Sequence, residues 1–203
     1  MSVDVTIVPT GLANIASVVA AFRRLDVEPR FANDSDDIAR ADAVVMPGVG
    51  AFGAAMGRID EVGWREPLAG RISAGRPTLA VCLGLQLLFE KSEESPGVHG
   101  LGAVPGAVTR LPGEVTVPQL GWNRVTPDER SRFVEPGWAY FANSYRVESV
   151  PDDWIGTTAD YGGTLVSTVE RGGVLACQFH PELSGEWGSA LLQRWLDAAG
   201  RDS

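Results

Sequence analysis

Cys82 and His180 have the types and settings that nucleophilic chemistry needs. Cys82 sits within Thr78 to Glu90 (TLAVCLGLQLLFE), where the apolar run Leu79, Ala80, Val81 gives way to the helical pattern Leu85, Leu87, Leu88, Phe89. That pattern reads as a buried strand followed by a helix, with Cys82 and Gly84 at the join. A strand that turns sharply into a helix throws the side chain at the bend out of the sheet. It lands over the free N–H groups of the helix start, which favour negative charge. A thiol in that position ionises more easily, and the thiolate is the nucleophilic form. Gly84 lets the helix pack closely where a side chain would obstruct the turn. These are the mechanics of a nucleophile elbow with Cys in place of Ser. A lone cysteine on an apolar run is otherwise a buried core residue, so its partners decide between the two.

The chain holds two histidines, which makes the search for a base short. His99 lies in a Gly/Pro-rich loop (PGVHGLG) and reads as solvated. His180 ends the apolar stretch Val174 to Phe179 and is followed by Pro181 and Glu182 (QFHPE). Pro181 cannot donate to a ladder, so the strand stops here, at the C-terminal edge where open α/β sheets place their sites. In an extended segment residues two apart share a face, which brings Glu182 within reach of the imidazole. Glu182 then fixes one ring nitrogen and leaves the other free as a base. The competing reading is a capping histidine beside a surface glutamate. Cys177, three residues earlier, falls on the opposite face and reads as core. Pro47-Gly48-Val49-Gly50 follows another short strand, and its glycines free the backbone to turn N–H groups toward a ligand. With the N–H of Leu83, this loop can hold a developing oxyanion. Phosphate binding is the rival use, but the chain has no GK[ST] or GxGxxG pattern.

The elements that must position these residues alternate in the first half. Strands are predicted at Val3 to Val8, Val27 to Phe31, Ala43 to Met46 and Pro77 to Cys82. A helix over residues 15–25, capped by Asn14, and an amphipathic helix over residues 51–65 separate them, with Asn33 to Ala41 a polar connection. This is an α/β pattern: an open, mostly parallel central sheet with helices on both faces. After Ser92 a Gly/Pro-rich stretch, residues 92–113, reads as a loop or hairpin region. Short β segments follow near residues 107–111, 121–125, 139–147, 163–170 and 173–179, an antiparallel extension in the C-terminal half. A helix over residues 187–199 closes the chain. Without repeats or linkers, residues 1–203 read as a single domain.

Composition excludes several classes. Apolar residues at 44% and charged residues at 21% suit a soluble globular protein. A net charge of −9 without any basic cluster argues against nucleic acid. No leader is visible behind Met1, and no apolar run approaches the roughly 20 residues that span a bilayer. Two cysteines form no disulfide framework and show no metal spacing, so a cytoplasmic setting with reduced thiols and no metal or cofactor is expected.

Cys82 within LAVCLGLQLLF, His180 and Glu182 within QFHPELSG, and PGVGAF together resemble the class I, triad-type glutamine amidotransferases. VPQLGWN (Val117 to Asn123), YFANSY (Tyr140 to Tyr145) and GLANIASV (Gly11 to Val18) resemble the glutaminase subunit of imidazole glycerol phosphate synthase, of histidine biosynthesis. The resemblance runs from about Val3 to the last helix. It implies that Cys82 attacks the side-chain amide of L-glutamine, while His180, oriented by Glu182, passes a proton to departing ammonia. It implies an oxyanion hole from Leu83 N–H and the backbone around Val49 and Gly50. Gln86, Ser144 and Tyr145 match substrate-binding positions. Asn14, Pro118, Trp122 and Asn123 match positions facing a (β/α)₈-barrel cyclase subunit, in a heterodimer that receives the ammonia. For Trp122 a core position is the alternative. Three departures stand out: Ala80 where the family often has Gly, Ala13 before Asn14, and Leu183 where a lysine commonly pairs with an acid on the cyclase. Two other outcomes stay open at this stage, a glutaminase serving another synthase and a binding module that lost catalysis.

Overall fold

The computed structural model describes residues 3–9 and 15–201. The predicted cap at Asn14 and the first half of the GLANIASV stretch lie outside the described residues. The first half runs β1 (Val5–Ile7), α1 (Ile15–Arg23), β2 (Arg30–Phe31), α2 (Ser35–Arg40), β3 (Ala43–Gly48), α3 (Phe52–Glu61), α4 (Arg65–Ser73), β4 (Thr78–Cys82) and α5 (Leu83–Leu87). The second half is strand-rich: β5 (Lys91–Ser92), β6 (Ala107–Arg110), β7 (Gln119–Pro127), β8 (Gly137–Asn143), β9 (Tyr145–Arg146), β10 (Ile155–Asp160), β11 (Thr164–Arg171) and β12 (Val174–Cys177). A 3₁₀ turn, Pro181–Leu183, and α6 (Gly185–Ala199) follow.

Nine strands form one sheet in the order β2-β1-β3-β4-β12-β11-β10-β7-β8. The pairs from β2 to β12 are parallel. Those from β12 to β8 are antiparallel. The parallel strands are apolar on both faces because each face is covered. Val44, Met46, Ala80 and Ala176 pack with Ile38, Met56, Ile59, Leu68 and Ile72 of α2, α3 and α4. Their alternates Val45, Leu79, Leu175 and Cys177 pack with Phe22 of α1 and Leu191, Leu192 and Trp195 of α6. Successive strand residues therefore serve opposite cores.

Three expectations need correction. Residues 33–41 are not a mere polar connection but hold α2: Asp34 accepts the Asp37 N–H at 2.9 Å as an N-cap, and Ile38 is buried. The amphipathic helix stops at Glu61 instead of continuing to Arg65. Gly63 takes φ +72°, Gly63 N–H donates to Asp60 O and Trp64 N–H to Ile59 O at 2.9 Å. That pair of bonds closes the helix in a Schellman motif, after which α4 starts afresh. The predicted strand over residues 139–147 is two, broken at Ser144, and β10, which bridges β11 to β7, was not anticipated. Arg71 on α4 is buried and donates to four carbonyls, those of Ile38, Ala41, Asp42 and Pro77. It ties α4 to the starts of β3 and β4, and its burial pulls its pKa down to about 10.

Candidate active site

The elbow is built around two glycines, Gly48 at the end of β3 and Gly84 in the first turn of α5. Cys82, the last residue of β4, takes φ +54° and ψ −109°, a conformation that L side chains rarely adopt. Such a residue stores about 1–3 kcal/mol, supported by the packing around it. Gly48 ends β3 opposite Cys82; a Cβ there would stand 2.6 Å from Gly84 N and 2.7 Å from Leu83 Cβ. A Cβ on Gly84 would in turn overlap the Met46 carbonyl oxygen. Gly48 thus belongs to the strand and serves packing rather than the ligand-facing role expected of it. Gly50, with φ +107°, is the residue of that loop whose backbone uses glycine's freedom. Ala80, two residues before the nucleophile, is accommodated in the core.

His180 arrives by the adjacent strand. β12 lies parallel to β4 with Cys177 opposite Val81, so the residues after Cys177 continue beside the elbow. The chain beyond His180 is not extended as expected. Pro181–Leu183 turns as a 3₁₀ helix, curling Glu182 back so that Glu182 Oε1 lies 2.8 Å from His180 Nδ1. Burial opposes protonation of His180, but its hydrogen bonds to Cys82 and Glu182, and their charge, outweigh that, raising the imidazole to about 10. Ser184 secures the turn: its hydroxyl donates to His180 O at 2.6 Å and accepts Tyr140 N–H, while His180 N–H donates to Tyr140 O at 2.8 Å. Cys177 is fully buried in the opposite core, and burial drives its thiol pKa well up.

Cys82 and His180 open onto a cavity of about 190 Å³. Val49, Gly50, Leu83, Gln86, Ser144 and Tyr145 line it. Every residue predicted for the oxyanion hole and the substrate therefore borders the space in front of the thiol, with Glu182 behind His180. Sequence reasoning missed Glu94, which also lines the cavity and accepts the Phe52 N–H at 2.6 Å. It also missed Asn143, whose amide donates to Tyr145 O at 3.1 Å. Nothing in the primary pattern distinguishes Glu94 from its acidic neighbours. A larger cavity of about 610 Å³, beside Trp154 and Arg171, holds none of these residues and is lined by neither cysteine nor histidine.

Of the predicted partner-facing residues, the three that are described, Pro118, Trp122 and Asn123, lie outside the cavity. Trp122 is 55% exposed, which removes the core alternative, and meets Tyr140 edge-on at 6.0 Å. Leu120 and Trp138 are also exposed, on the same face of the β7–β8 ladder. Pro118 precedes that ladder and is exposed. Asn123 turns the other way, donating to Asp160 O at 2.9 Å. Leu183 is partly exposed next to Glu182. Among the described residues no group of His, Cys, Asp and Glu could hold a metal ion, and no helix is long and apolar enough to cross a membrane.

A sharp strand–helix cysteine and a histidine with a carboxylate behind it thus meet at one edge of a sheet covered on both faces. The family model for class-I glutamine amidotransferases matches residues 8–198, and the chain belongs to that family. Relatives narrow the assignment. The chain is 41% identical over 196 residues to imidazole glycerol phosphate synthase subunit HisH of Methanothermobacter thermautotrophicus, covering 95% of this chain and 98% of that one. It is 40% identical to the HisH subunit of Symbiobacterium thermophilum, covering 94% and 92%. The chloroplastic imidazole glycerol phosphate synthase hisHF of Arabidopsis thaliana is also 40% identical, but there the match covers 34% of the longer relative. Within its class, the chain belongs with the HisH subunits. A crystal structure of a glutamine amidotransferase superposes with TM-score 0.78 at 20% identity over 97% of this chain and 98% of that one, a likeness of fold.

Proposed function

We propose that residues 1–203 act as a single glutaminase domain that supplies ammonia to a cyclase subunit of imidazole glycerol phosphate synthase, in the cytoplasm. Cys82 Sγ attacks the side-chain carbonyl carbon of L-glutamine, and the carbonyl electrons move onto oxygen, held by Leu83 N–H and the backbone at Val49 and Gly50. His180, protonated between Cys82 and Glu182, gives its proton to the departing nitrogen as the C–N bond breaks, and ammonia leaves. Water then adds to the thioester, giving a proton to His180; the C–S bond breaks, its electrons return to sulfur, and glutamate is released. Glu94 offers a carboxylate to the substrate's ammonium group, while Gln86, Ser144 and Tyr145 border the rest of the amino-acid end.

The cyclase is a (β/α)₈ barrel that forms a heterodimer with this chain. It docks on the exposed face carrying Trp122 and Pro118, and uses the ammonia to make imidazole glycerol phosphate and aminoimidazole carboxamide ribotide. The observation that carries the reading is the meeting of Cys82 with the His180–Glu182 pair at the mouth of one small cavity. The test is glutamate release from glutamine by the chain alone, then with a cyclase subunit and its nucleotide. A low rate alone and a large rise in the mixture is the expected result. Release that is rapid alone and unchanged by the partner would remove the histidine-pathway assignment and leave the triad chemistry.

A further inference from the structure

One buried group beside the nucleophile has no part in the triad. Gln178 is fully buried, one residue past the end of β12. Extending the parallel register by one residue sets Gln178 opposite Cys82. Its backbone is pinned, since Gln178 N–H donates to Ser167 O at 2.8 Å. Its side chain shares a face with His180, two residues on, while Cys177 and Phe179 point into the opposite core.

The orientation of the Gln178 amide follows from its neighbours. Gln86 Nε2 lies 3.5 Å from the Tyr145 carbonyl and 3.0 Å from Gln178 Oε1. A backbone carbonyl only accepts, so the Gln86 nitrogen is the donor and the Gln178 oxygen accepts from it. The Gln178 nitrogen is left facing Cys82 Sγ at 3.7 Å. A second neighbour of the sulfur, Ala142 O at 3.8 Å, can accept from a thiol but repels a thiolate. Gln178 is the opposite: a neutral donor whose hydrogen bond strengthens when the sulfur is charged.

We propose that Gln178 is a catalytic hydrogen-bond donor to Cys82 Sγ, holding the sulfur as a thiolate before attack and receiving it again as the thioester breaks. In the second half-reaction the electron pair of the C–S bond returns to sulfur, and a fixed N–H at that atom stabilises the leaving thiolate without any proton changing hands. Gln86 then has a second duty, to orient this donor. The proposal rests on Cys82 being the nucleophile of the preceding section.

The test is the pH dependence of iodoacetamide alkylation in the full chain, read by mass at Cys82, for the native protein, Gln178→Met and Gln178→Glu. Other groups facing the sulfur, His180 with Glu182 behind it, and Glu94 and Tyr145 across the cavity, are common to all three proteins. The alkylation midpoint is expected to rise by about one pH unit in Gln178→Met, which keeps the length and lacks the donor. It should rise further in Gln178→Glu, which sets a carboxylate against the sulfur. A role in packing alone predicts no such order, and equal midpoints in all three would overturn the proposal. If Gln178→Met fails to fold, Gln86→Met, which frees the Gln178 amide to rotate, should give a smaller rise, and no rise there would also overturn it. A native protein unlabelled at Cys82 at any pH would instead overturn the nucleophile assignment itself.

Discussion

β4 and β12 lie side by side in the centre of the sheet, run in the same direction and each ends in a cysteine, yet the two ends do opposite work. Cys177 is the last regular residue of β12, has no exposure and sits with Phe179 in the core beneath α6. Cys82 is the last residue of β4, one register step further along, and its backbone leaves the strand at φ +54°. What separates the two fates is the chain that follows. After Cys82 come Leu83 and Gly84, and Gly84 lets α5 close against β3 at the Met46 carbonyl. After Cys177 the chain leaves the strand without turning into a helix, and Cys177 and Phe179 stay in the core while Gln178 and His180 meet the elbow. Residue type is the same; register and one absent Cβ decide which sulfur meets a substrate.

The sharpest way to break this comparison is Cys82→Ala. Glutamine-dependent synthesis should fall by about 10⁴-fold or more, as loss of a nucleophile does elsewhere, with synthesis from added ammonia intact. Loss of both would refute the division of labour between this chain and a cyclase. Next in size is Glu182→Gln, expected to cut glutamine hydrolysis about 10³-fold by releasing the ring from its tautomer and charge partner. The same variant reads out stability. His180 is held up to about 10 in the folded chain against about 6.5 unfolded, so the native state binds the extra proton between those values. Its contribution is complete below about pH 6.5 and disappears as pH climbs through about 10. Melting temperature should therefore fall over that alkaline window, and Glu182→Gln should flatten the fall. An identical pH slope in both proteins would detach His180 from the carboxylate.

Gly84→Ala probes the elbow rather than the chemistry. Its Cβ meets backbone, which cannot rotate aside, so a loss of about 3 kcal/mol is expected in denaturant unfolding. Gly57, inside α3 with open space around it, is the control: Gly57→Ala should stabilise by roughly 0.5–1 kcal/mol. Similar effects at the two positions would mean that the close approach to β3 is not what shapes the elbow.

Much of this site was legible because its chemistry sits on strongly patterned segments. TLAVC followed by a helical repeat marks a strand–helix bend, and HPE after an apolar strand marks an edge. Gln178 was within reach of the alternation argument that paired His180 with Glu182, had it been run backward by two residues. Glu182 itself reaches the imidazole through a 3₁₀ turn and not along an extended strand, so the predicted pairing is present with a different backbone behind it. The less legible parts depend on long-range pairing. β10 carries IGTTAD, with no apolar alternation of its own, and is a strand because β11 and β7 flank it. Glu94 enters the cavity because α3 begins beside it and its Phe52 amide holds the carboxylate, a contact across 42 residues. α2 was overlooked because one buried residue, Ile38, is too little to show a helical period, although its Asp34 cap was visible.

The smallest effect is expected at Cys177, and it tests the comparison from its quiet side. Cys177→Ala removes one buried sulfur from a packed core, a loss of about 1 kcal/mol, with glutaminase activity within about twofold of native. Cys177→Ser keeps the size but buries a hydroxyl among Leu175, Phe179 and Trp195, which should cost more than the alanine, by about 1–3 kcal/mol. That order, alanine milder than serine, is the signature of an apolar site, and it reverses if the Cys177 sulfur is a hydrogen-bonding or reactive group. Unfolding in urea together with initial rates separates the two readings. A tenfold loss of activity in Cys177→Ala at unchanged stability would mean that β12 transmits its core packing to Gln178 and His180, and the two strand ends could no longer be treated as independent.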